Sequence, residues 1–435
     1  ILSTGARRGA MMATLRCDHP DIGLFIDAKR EANVLKNFNL SVLVSDAFMD
    51  AIEQDQDWLL LFPDNTYLSD YKEEFIMREW PGFDVPVRCK VFHHVSARAL
   101  WQKILRANYD YAEPGVLFID RVQRVNNLHY CERINATNPC GEIPLPPYGA
   151  CDLGSINLTQ FVREPFTPDA NIDFDAITDT AALAVRMLDN VYELSRFPLP
   201  QQAETARATR RVGLGITGLA DVFIMLGEVY GSDASLKRAE EIMRTICHRA
   251  YRTSIELARE KGAFAKFDTA KYLQGEFIRA LPPDIFNGIA AHGIRNSHLT
   301  AIAPTGTISL LANNVSSGLE PLFALDFRRD IVQADGSSKT VNVTDFACAL
   351  YRRLHGNQAP FPSAFVISAQ VSPAAQLAMQ VALQRYVDNA ISKTLYIPQL
   401  VSCEDFRGVF DQAYRLGLKG CTAYRTNPIR GAMMH

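Results

Sequence analysis

The sequence predicts an α/β protein with a mainly parallel sheet covered by helices, arranged either as a barrel or as an open sheet. Short apolar segments with strand character alternate with longer segments of helical periodicity. The chain has 435 residues, of which 48% are hydrophobic and 21% charged, so it can bury a substantial core. It shows no repeat, low-complexity tract or flexible linker. We therefore expect residues 1–435 to form a single domain.

Composition excludes several classes of protein. The formal net charge is −3, from 45 basic and 48 acidic residues, so no global basic field indicates nucleic acid or an anionic membrane as partner. No apolar run reaches the roughly 18 residues of a membrane-spanning helix. The nine cysteines are irregularly spaced without a C-x-x-C pair, which favours a reducing, cytoplasmic location. The nine histidines lack metal-ligand spacing, so no metal site is predicted.

The first third of the chain begins with a basic loop and continues with strands and helices. The loop is punctuated by glycines, and its central residues are Arg7, Arg8, Gly9 and Ala10. It could hold an anion or a base, and a solvated turn is the alternative. Residues 38–44 predict a buried strand, with Ser45 as the cap of the following helix. Residues 116–120 predict another short apolar strand.

A proline-rich stretch in the middle of the chain is the strongest candidate for chemistry. Four prolines between positions 139 and 147 remove backbone donors, so a stiff irregular loop is expected to present Cys140. Asn138 and Glu142 lie two residues on either side, so an extended segment would point all three side chains the same way. The alternative is a structural cysteine beside an exposed glutamate. A second thiol at Cys151 favours chemistry.

The segment after this loop contains predicted helices and a glycine motif. Periodicity predicts helices over 175–195 and 234–261. Gly213, Gly215 and Gly218 match G-x-G-x-x-G, but the second strand and acidic residue of a dinucleotide site are replaced by the second helix. Close backbone packing is therefore the preferred interpretation.

The last third contains a candidate phosphate loop. Residues 299–303 predict a strand that breaks at a proline and is followed by a helix start. The turn consists of Pro304, Thr305, Gly306 and Thr307. Backbone N–H groups and two hydroxyls in such a turn can hold a phosphate, and a helix capped by Thr305 is the alternative. Further on, Ser372 and Ser402 should cap helices that run to Ile391 and to near Gly417. Residues 421–425 predict a final strand.

Together these motifs resemble the catalytic subunit of the ribonucleotide reductases. Asn138-x-Cys140-x-Glu142 resembles the finger-loop motif of the family, and Cys151 resembles its downstream redox cysteine. Residues 303–309 resemble the substrate phosphate loop, and residues 7–10 are similar to the loop that relays effector identity to the substrate base.

Two further segments are typical of the adenosylcobalamin-dependent (class II) branch of that family. They comprise residues 387–394 and 417–425. Thr422 and Ala423 stand where the iron- or manganese-dependent branch has adjacent tyrosines for radical transfer. This substitution is the main reason for choosing adenosylcobalamin as the expected cofactor.

The resemblance implies a fold and a reaction. The fold is a ten-stranded α/β barrel, incomplete at its N-terminus, with the finger loop in its centre and residues 1–435 as one catalytic domain. The reaction is reduction of ribonucleotides, expected to be diphosphates, through a thiyl radical at Cys140. Glu142 would act as general base, Asn138 would bind the sugar hydroxyls, and Cys151 would be one member of the reducing pair.

The resemblance also implies partners and missing parts. The second reducing cysteine, most effector-site helices and a C-terminal cysteine tail would lie outside this chain, so we expect a fragment or one part of a split enzyme that does not turn over alone. Expected partners are a ribonucleotide substrate, deoxynucleotide or ATP effectors, a thioredoxin-type reductant, and a homodimer mate or complementary chain. Rival interpretations are the large subunit of a class I enzyme, a glycyl-radical enzyme and a non-catalytic nucleotide-binding module.

Overall fold

Strands and helices alternate along much of the chain, as the sequence predicts, although six consecutive helices separate two of the described strands. The computed structural model describes residues 9–31, 34–35, 37–64, 74–83, 85–332 and 338–425. The strands are β1 (Met11–Arg16), β2 (Phe38–Val44), β3 (Asp57–Pro63), β4 (Phe75–Arg78), β5 (Val87–Ser96), β6 (Gly115–Phe118), β7 (Ala136–Thr137), β8 (Pro144–Leu145), β9 (Asp152–Asn157), β10 (Val162–Arg163), β11 (Asn171–Ile172), β12 (Val212–Thr217), β13 (Asp326–Val332), β14 (Ser338–Thr344), β15 (Thr394–Ile397) and β16 (Gly420–Arg425).

The helices lie between these strands. They are α1 (Ile22–Asp27), α2 (Asp46–Glu53), α3 (Ala97–Tyr111), α4 (Ile119–Arg124), α5 (Phe174–Leu194), α6 (Pro200–Thr209), α7 (Leu219–Leu226), α8 (Asp233–Lys261), α9 (Thr269–Tyr272), α10 (Glu276–Arg279), α11 (Pro283–His292), α12 (Ile308–Leu311), α13 (Phe346–His355), α14 (Pro373–Gln384) and α15 (Cys403–Arg415). Short 3₁₀ helices cover Leu158–Phe161 and Ser368–Gln370.

The main sheet has the strand order β1-β2-β6-β16-β15. Neighbouring strands are parallel except for β6 and β16, which run antiparallel. A second parallel pair, β9 and β12, is linked by a bridge from Leu214 to Thr300, and Ile302 is bridged in turn to Ile391, three residues before β15. The result is a continuous ribbon of backbone from β9 to β1.

The mixed α/β class is therefore confirmed, whereas a closed barrel of ten strands stays a prediction. Among the described strands, β1 and β9 each have one edge without a bonded neighbour. Two hydrophobic cores cover the ribbon. One surrounds β12 and the helices α5, α7 and α8, and the other packs the main sheet against α2, α3 and α15.

Local signals position several helices as expected. Ser45, Ser372 and Ser402 each accept a hydrogen bond from a backbone N–H of the first helical turn. The predicted continuation of the helix after Ser372 to Ile391 is wrong, because α14 ends at Gln384. The chain then turns and buries Asp388, which is 2% exposed.

The predicted strand over 299–303 forms only the two bridges at Thr300 and Ile302. The backbone N–H groups of Leu299 and Thr300 donate to the Asp388 carboxylate at 2.8 Å each. Two donors are thus used by a side chain instead of a neighbouring strand, which explains why no regular ladder forms here.

The G-x-G-x-x-G segment packs closely, as preferred from the sequence. Gly213 and Gly215 lie on β12, and a Cβ atom at Gly215 would approach the main-chain oxygen of Ala301 to 2.1 Å. Gly218 has a φ of +80°, which favours glycine. These glycines permit close approach of the backbone within the ribbon.

Candidate active site

Cys140 lies at the tip of a hairpin formed by β7 and β8, residues 136–145, which we call the thiol hairpin. The N–H of Asn138 donates to the oxygen of Ile143 at 3.1 Å, and the N–H of Gly141 donates back to the oxygen of Asn138 at 3.1 Å. Gly141 has a φ of +84°, which permits the turn. The expectation of an extended segment with three side chains on one face is therefore wrong, because the segment closes into a turn.

The turn still brings the amide and carboxyl groups together. Oδ1 of Asn138 accepts a hydrogen bond from the N–H of Ile143 at 3.1 Å, which fixes the amide across the hairpin. The Asn138 side chain also acts on Glu142, since it lowers the pKa of that carboxyl group. Cys140 is exposed, whereas Glu142 is only 2% exposed. The hairpin thus exposes the thiol of Cys140 and keeps the carboxyl group of Glu142 buried.

Burial changes the acidity of Glu142. Burial raises the pKa of this carboxyl group above its ordinary value, and hydrogen bonds from its own backbone and from Asn138 oppose the rise. Within the described part of the chain, its Oε2 atom is buried and has no hydrogen-bond partner. A buried carboxyl oxygen without a partner can accept a proton from a ligand hydroxyl.

Three elements hold the thiol hairpin in place. Nδ2 of Asn39, on β2, donates to the oxygen of Pro139 at 2.6 Å. Oγ1 of Thr14, on β1, donates to the oxygen of Asn135 at 3.0 Å. On the other side, the N–H of Ala390 donates to the main-chain oxygen of Glu142 at 2.9 Å. The hairpin that carries the thiol is therefore fixed by β1 and β2 on one side and by the segment around Ala390 on the other.

Cys140 and the candidate phosphate loop meet at one cavity. Cys140 and Pro304 both line a space of about 260 Å³, which the start of β16 also lines. A second space of about 710 Å³ is lined by Gly306 and Thr307 and also borders on Pro304. The predicted thiol and the predicted phosphate loop are therefore neighbours in space.

The two hydroxyls of the loop have different surroundings. Thr305 is 2% exposed, and its hydroxyl contacts the hydroxyl of Thr217 at 2.7 Å and accepts from the N–H of Gly318 at 2.9 Å. Thr307 is exposed. The expectation that both hydroxyls face a phosphate is therefore wrong for Thr305, which is used internally.

The helix after the loop also differs from the expected one. α12 has four residues, and its N-cap is Thr307, whereas the alternative interpretation placed the cap at Thr305. Pro304, Gly306 and Thr307 are exposed at the cavities, so their backbone remains available to a ligand.

Cys151 is half-buried immediately before β9. Its Sγ donates to the oxygen of Asp152 at 3.5 Å. Burial raises the pKa of the Cys151 thiol, and the positive charge of Arg211 opposes that rise. The charge of Glu142 also contributes to raising the pKa of this thiol.

The predicted base-recognition loop is only partly described. Arg7 and Arg8 lie outside the described residues. Gly9 is half-buried and Ala10 is exposed, and both lead directly into β1. In the described part of the chain, no group of three or more His, Cys, Asp and Glu side chains could hold a metal ion. None of the helices described there has the length and apolar character needed to span a bilayer.

Sequence reasoning missed two charged residues beside the site. Asp388 accepts hydrogen bonds from Leu299, Thr300 and Tyr251, and Lys419 lines the cavity of Cys140. Burial raises the pKa of the Asp388 carboxyl group and lowers the pKa of Lys419 to about 8. The available signal was a charged residue inside an otherwise apolar segment, which indicates a buried and bonded charge.

The ribbon and the thiol hairpin define an α/β domain that presents a candidate reactive thiol at a cavity of about 260 Å³. A family model described as "Ribonucleotide reductase, barrel domain" matches residues 1–424. The chain belongs to this family.

Three relatives extend the comparison. A vitamin B12-dependent ribonucleoside-diphosphate reductase of Mycobacterium tuberculosis is 35% identical over 450 residues, which cover 99% of this chain and 58% of the relative. Its counterpart in Thermoplasma acidophilum is 34% identical, with 98% and 52% covered. A vitamin B12-dependent ribonucleotide reductase of Streptomyces clavuligerus is 26% identical, with 98% and 49% covered. The chain thus spans about half the length of these relatives.

Proposed function

We propose that this chain forms the catalytic barrel portion of an adenosylcobalamin-dependent ribonucleotide reductase. The enzyme converts ribonucleoside diphosphates to 2′-deoxyribonucleotides for DNA synthesis and repair. The observation that carries the proposal is the cavity lined by both Cys140 and Pro304. A nucleotide bound there has its ribose beside the thiol and its phosphates beside residues 304–307. The names of the relatives from Mycobacterium and Thermoplasma support the reaction and the diphosphate substrate.

Cys140, Glu142 and Asn138 act on the ribose. A sulfur radical at Cys140 abstracts the hydrogen atom at C3′ reversibly, because the S–H bond and the activated C–H bond are similar in strength. Glu142 accepts the proton of the 3′-hydroxyl, and its raised pKa strengthens it as a base near neutral pH. Asn138 donates a hydrogen bond to a sugar hydroxyl and orients the ring.

The reduction itself needs two thiols. The 2′-hydroxyl leaves as water, and two thiols become one disulfide, which supplies the two electrons and two protons. Cys151 is one of these thiols, and the other belongs to polypeptide upstream of residue 7. A thioredoxin-type dithiol then reduces the disulfide for the next turnover.

Adenosylcobalamin fits the chemistry of the cavity wall. The wall of the cavity that Cys140 lines carries the polar side chains of Asn39, Gln380 and Thr422. When bound, the cofactor supplies the radical that takes the hydrogen atom of Cys140. The protein holds the thiol at the cavity through the hydrogen bonds to Pro139 and Glu142.

Other parts of the proposal concern the complete enzyme. Residues 7–10 read the substrate base in response to deoxynucleotide or ATP effectors. Phosphate contacts come from Gly306, Thr307 and the backbone, since the Thr305 hydroxyl is used internally. Residues 1–435 form one domain, and further strands close the ribbon between β1 and β9 into a ten-stranded barrel. A homodimer mate or a complementary chain is the proposed polypeptide partner.

The test is a reductase assay with the chain and a co-expressed complementary polypeptide. The mixture contains ribonucleoside diphosphate, adenosylcobalamin and a dithiol, and deoxynucleotide is measured by chromatography. We expect product only with adenosylcobalamin, and no multiple turnover by the chain alone. Product that requires a metal-containing second subunit would favour a class I large subunit. Nucleotide binding without reduction under every condition would favour a binding module.

A further inference from the structure

Segment 387–390 connects the thiol hairpin to the strand that leads into the phosphate-loop candidate. The N–H of Ala390 donates to the oxygen of Glu142 at 2.9 Å, and the N–H of Ile302 donates to the oxygen of Ala390 at 3.2 Å. Only one residue separates Ile302 from Pro304. The position of this segment therefore sets the spacing between Cys140 and the loop at 304–307.

Asp388 fixes one side of the segment. Its carboxylate accepts from the N–H groups of Leu299 and Thr300 at 2.8 Å and from the hydroxyl of Tyr251 at 2.7 Å. The next residue, Asn389, donates its N–H to the oxygen of Thr300 at 3.1 Å. Because all of these groups are buried, their hydrogen bonds are costly to break.

Lys419 fixes the opposite side. Its Nζ donates to the main-chain oxygens of Val387 at 3.3 Å, of Asp388 at 2.8 Å, and of Asn389. An ammonium group has three N–H donors, so these three consecutive carbonyls use all of them. Lys419 is only 6% exposed, and it directly precedes β16, whose first residues line the same cavity as the thiol.

We infer that Lys419 is a positioning residue of the active site, which holds segment 387–390 so that the thiol hairpin and residues 304–307 keep the spacing that one nucleotide requires. The inference rests on the proposed function for its catalytic consequence. Lys419 acts through the backbone of Asn389 and Ala390 and has no chemical role of its own. Misplacement of reacting groups by about 1 Å can cost on the order of 10²-fold in rate. Loss of the hydrogen bonds from Lys419 should therefore affect turnover more than nucleotide affinity.

The first test measures hydrogen exchange of the full chain by mass spectrometry. Lys419→Met removes the donors and keeps an apolar stem, Lys419→Arg keeps a cation with several donors, and Lys237→Met, an exposed site on α8, is the matched control. In Lys419→Met we expect exchange to increase by about tenfold or more in peptides that contain Ala390 and the thiol hairpin. Peptides from α3 should be unchanged, and Lys419→Arg should restore most of the protection.

The second test measures kcat and KM in the reductase assay described above. We expect Lys419→Met to lower kcat by about tenfold or more with little change in KM, and Lys419→Arg to recover part of the rate. If Lys419→Met does not fold, Lys419→Gln keeps two donors and takes its place in both tests.

Three results would overturn the inference. They are unchanged exchange at Ala390 and the hairpin, equally faster exchange in α3 as expected from global destabilisation, and a raised KM with unchanged kcat. If the wild-type protein shows no reduction, the proposed function fails, and the exchange experiment alone decides whether Lys419 holds the segment.

Discussion

The hydroxyl of Thr305 lies 2.7 Å from the hydroxyl of Thr217, and the two form a directed chain of hydrogen bonds. Thr217 donates its proton to the oxygen of Ser316 at 2.9 Å, so the Thr305 hydroxyl must be the donor between the two threonines. Thr305 in turn accepts from the N–H of Gly318. The Thr305 side chain, which the sequence suggested as a phosphate ligand, thus anchors the candidate phosphate loop to its neighbours.

Replacement of Thr305 by Val should therefore reduce stability. The change keeps the shape of the side chain but leaves the buried N–H of Gly318 without its acceptor, at a cost of about 1–3 kcal/mol. Urea unfolding measures this loss. Thr307→Val, at an exposed position of the same loop, should change the free energy of unfolding by less than about 0.5 kcal/mol. Equal stability of the two variants would contradict the internal role of Thr305.

Replacement of Glu142 by Gln should slow ribonucleotide reduction by about 10²–10⁴-fold, since the general base is lost. The shape of the side chain and one acceptor oxygen remain, so the variant should fold and bind nucleotide. Rates in the reductase assay and nucleotide titration check both statements. A variant with wild-type turnover would remove Glu142 from the mechanism.

The raised pKa of Glu142 also predicts a pH dependence of stability. The folded state favours the protonated carboxyl group, so the stability from this group is present below its ordinary pKa and is lost as pH rises through the raised value. Gln is neutral throughout. The stability of wild type relative to Glu142→Gln should therefore fall as the pH rises above about 4, as measured by urea unfolding at several pH values. A difference that is constant or rises over this range would contradict the direction of the shift.

Replacement of Cys140 by Ser should abolish reduction and leave nucleotide binding intact, because the hydroxyl cannot form the radical at comparable cost. Cys131→Ser, which changes another exposed cysteine, is the matched control and should keep wild-type turnover. The reductase assay with both variants decides between a reactive and a structural Cys140, since a structural cysteine would tolerate serine.

Replacement of Gly215 by Ala should strongly destabilise the ribbon. The added Cβ atom would lie 2.1 Å from the main-chain oxygen of Ala301, and backbone there cannot move cheaply. We expect a loss of at least about 3 kcal/mol or failure to fold. Gly408→Ala, in α15 with no heavy atom within 4 Å, should instead stabilise by up to about 1 kcal/mol. Thermal unfolding of the two variants provides the comparison, and a Gly215→Ala protein as stable as wild type would refute close packing at β12.

Features that depend on neighbours in sequence were predictable. Ser45, Ser372 and Ser402 cap helices through bonds within one turn, and the apolar run at 38–44 forms β2 with the expected bounds. The proline and glycine content around Cys140 likewise predicted an irregular loop that presents the thiol. The turn within that loop was not predicted, since it depends on backbone pairing between Asn138 and Ile143.

Features that depend on distant residues could not be predicted. The Thr305 hydroxyl is engaged by Thr217, 88 residues away in the sequence, and nothing local distinguishes it from a ligand hydroxyl. The early end of α14 follows from the burial of Asp388 against Leu299 and Thr300. Lys419 lies in the segment 417–425 that resembles the family, but its role could not be predicted because its partners are carbonyls 30 to 32 residues away.

The unpaired edges of β1 and β9 have a practical consequence for handling the protein. Each strand has six residues, and its backbone donors and acceptors on the side away from the bonded neighbour are not paired with another described strand. Such an edge can pair with an extended peptide. Self-association should therefore increase with protein concentration, and an added polypeptide that occupies these edges should suppress it. Light scattering with and without the complementary chain would thus report assembly before any catalysis is measured.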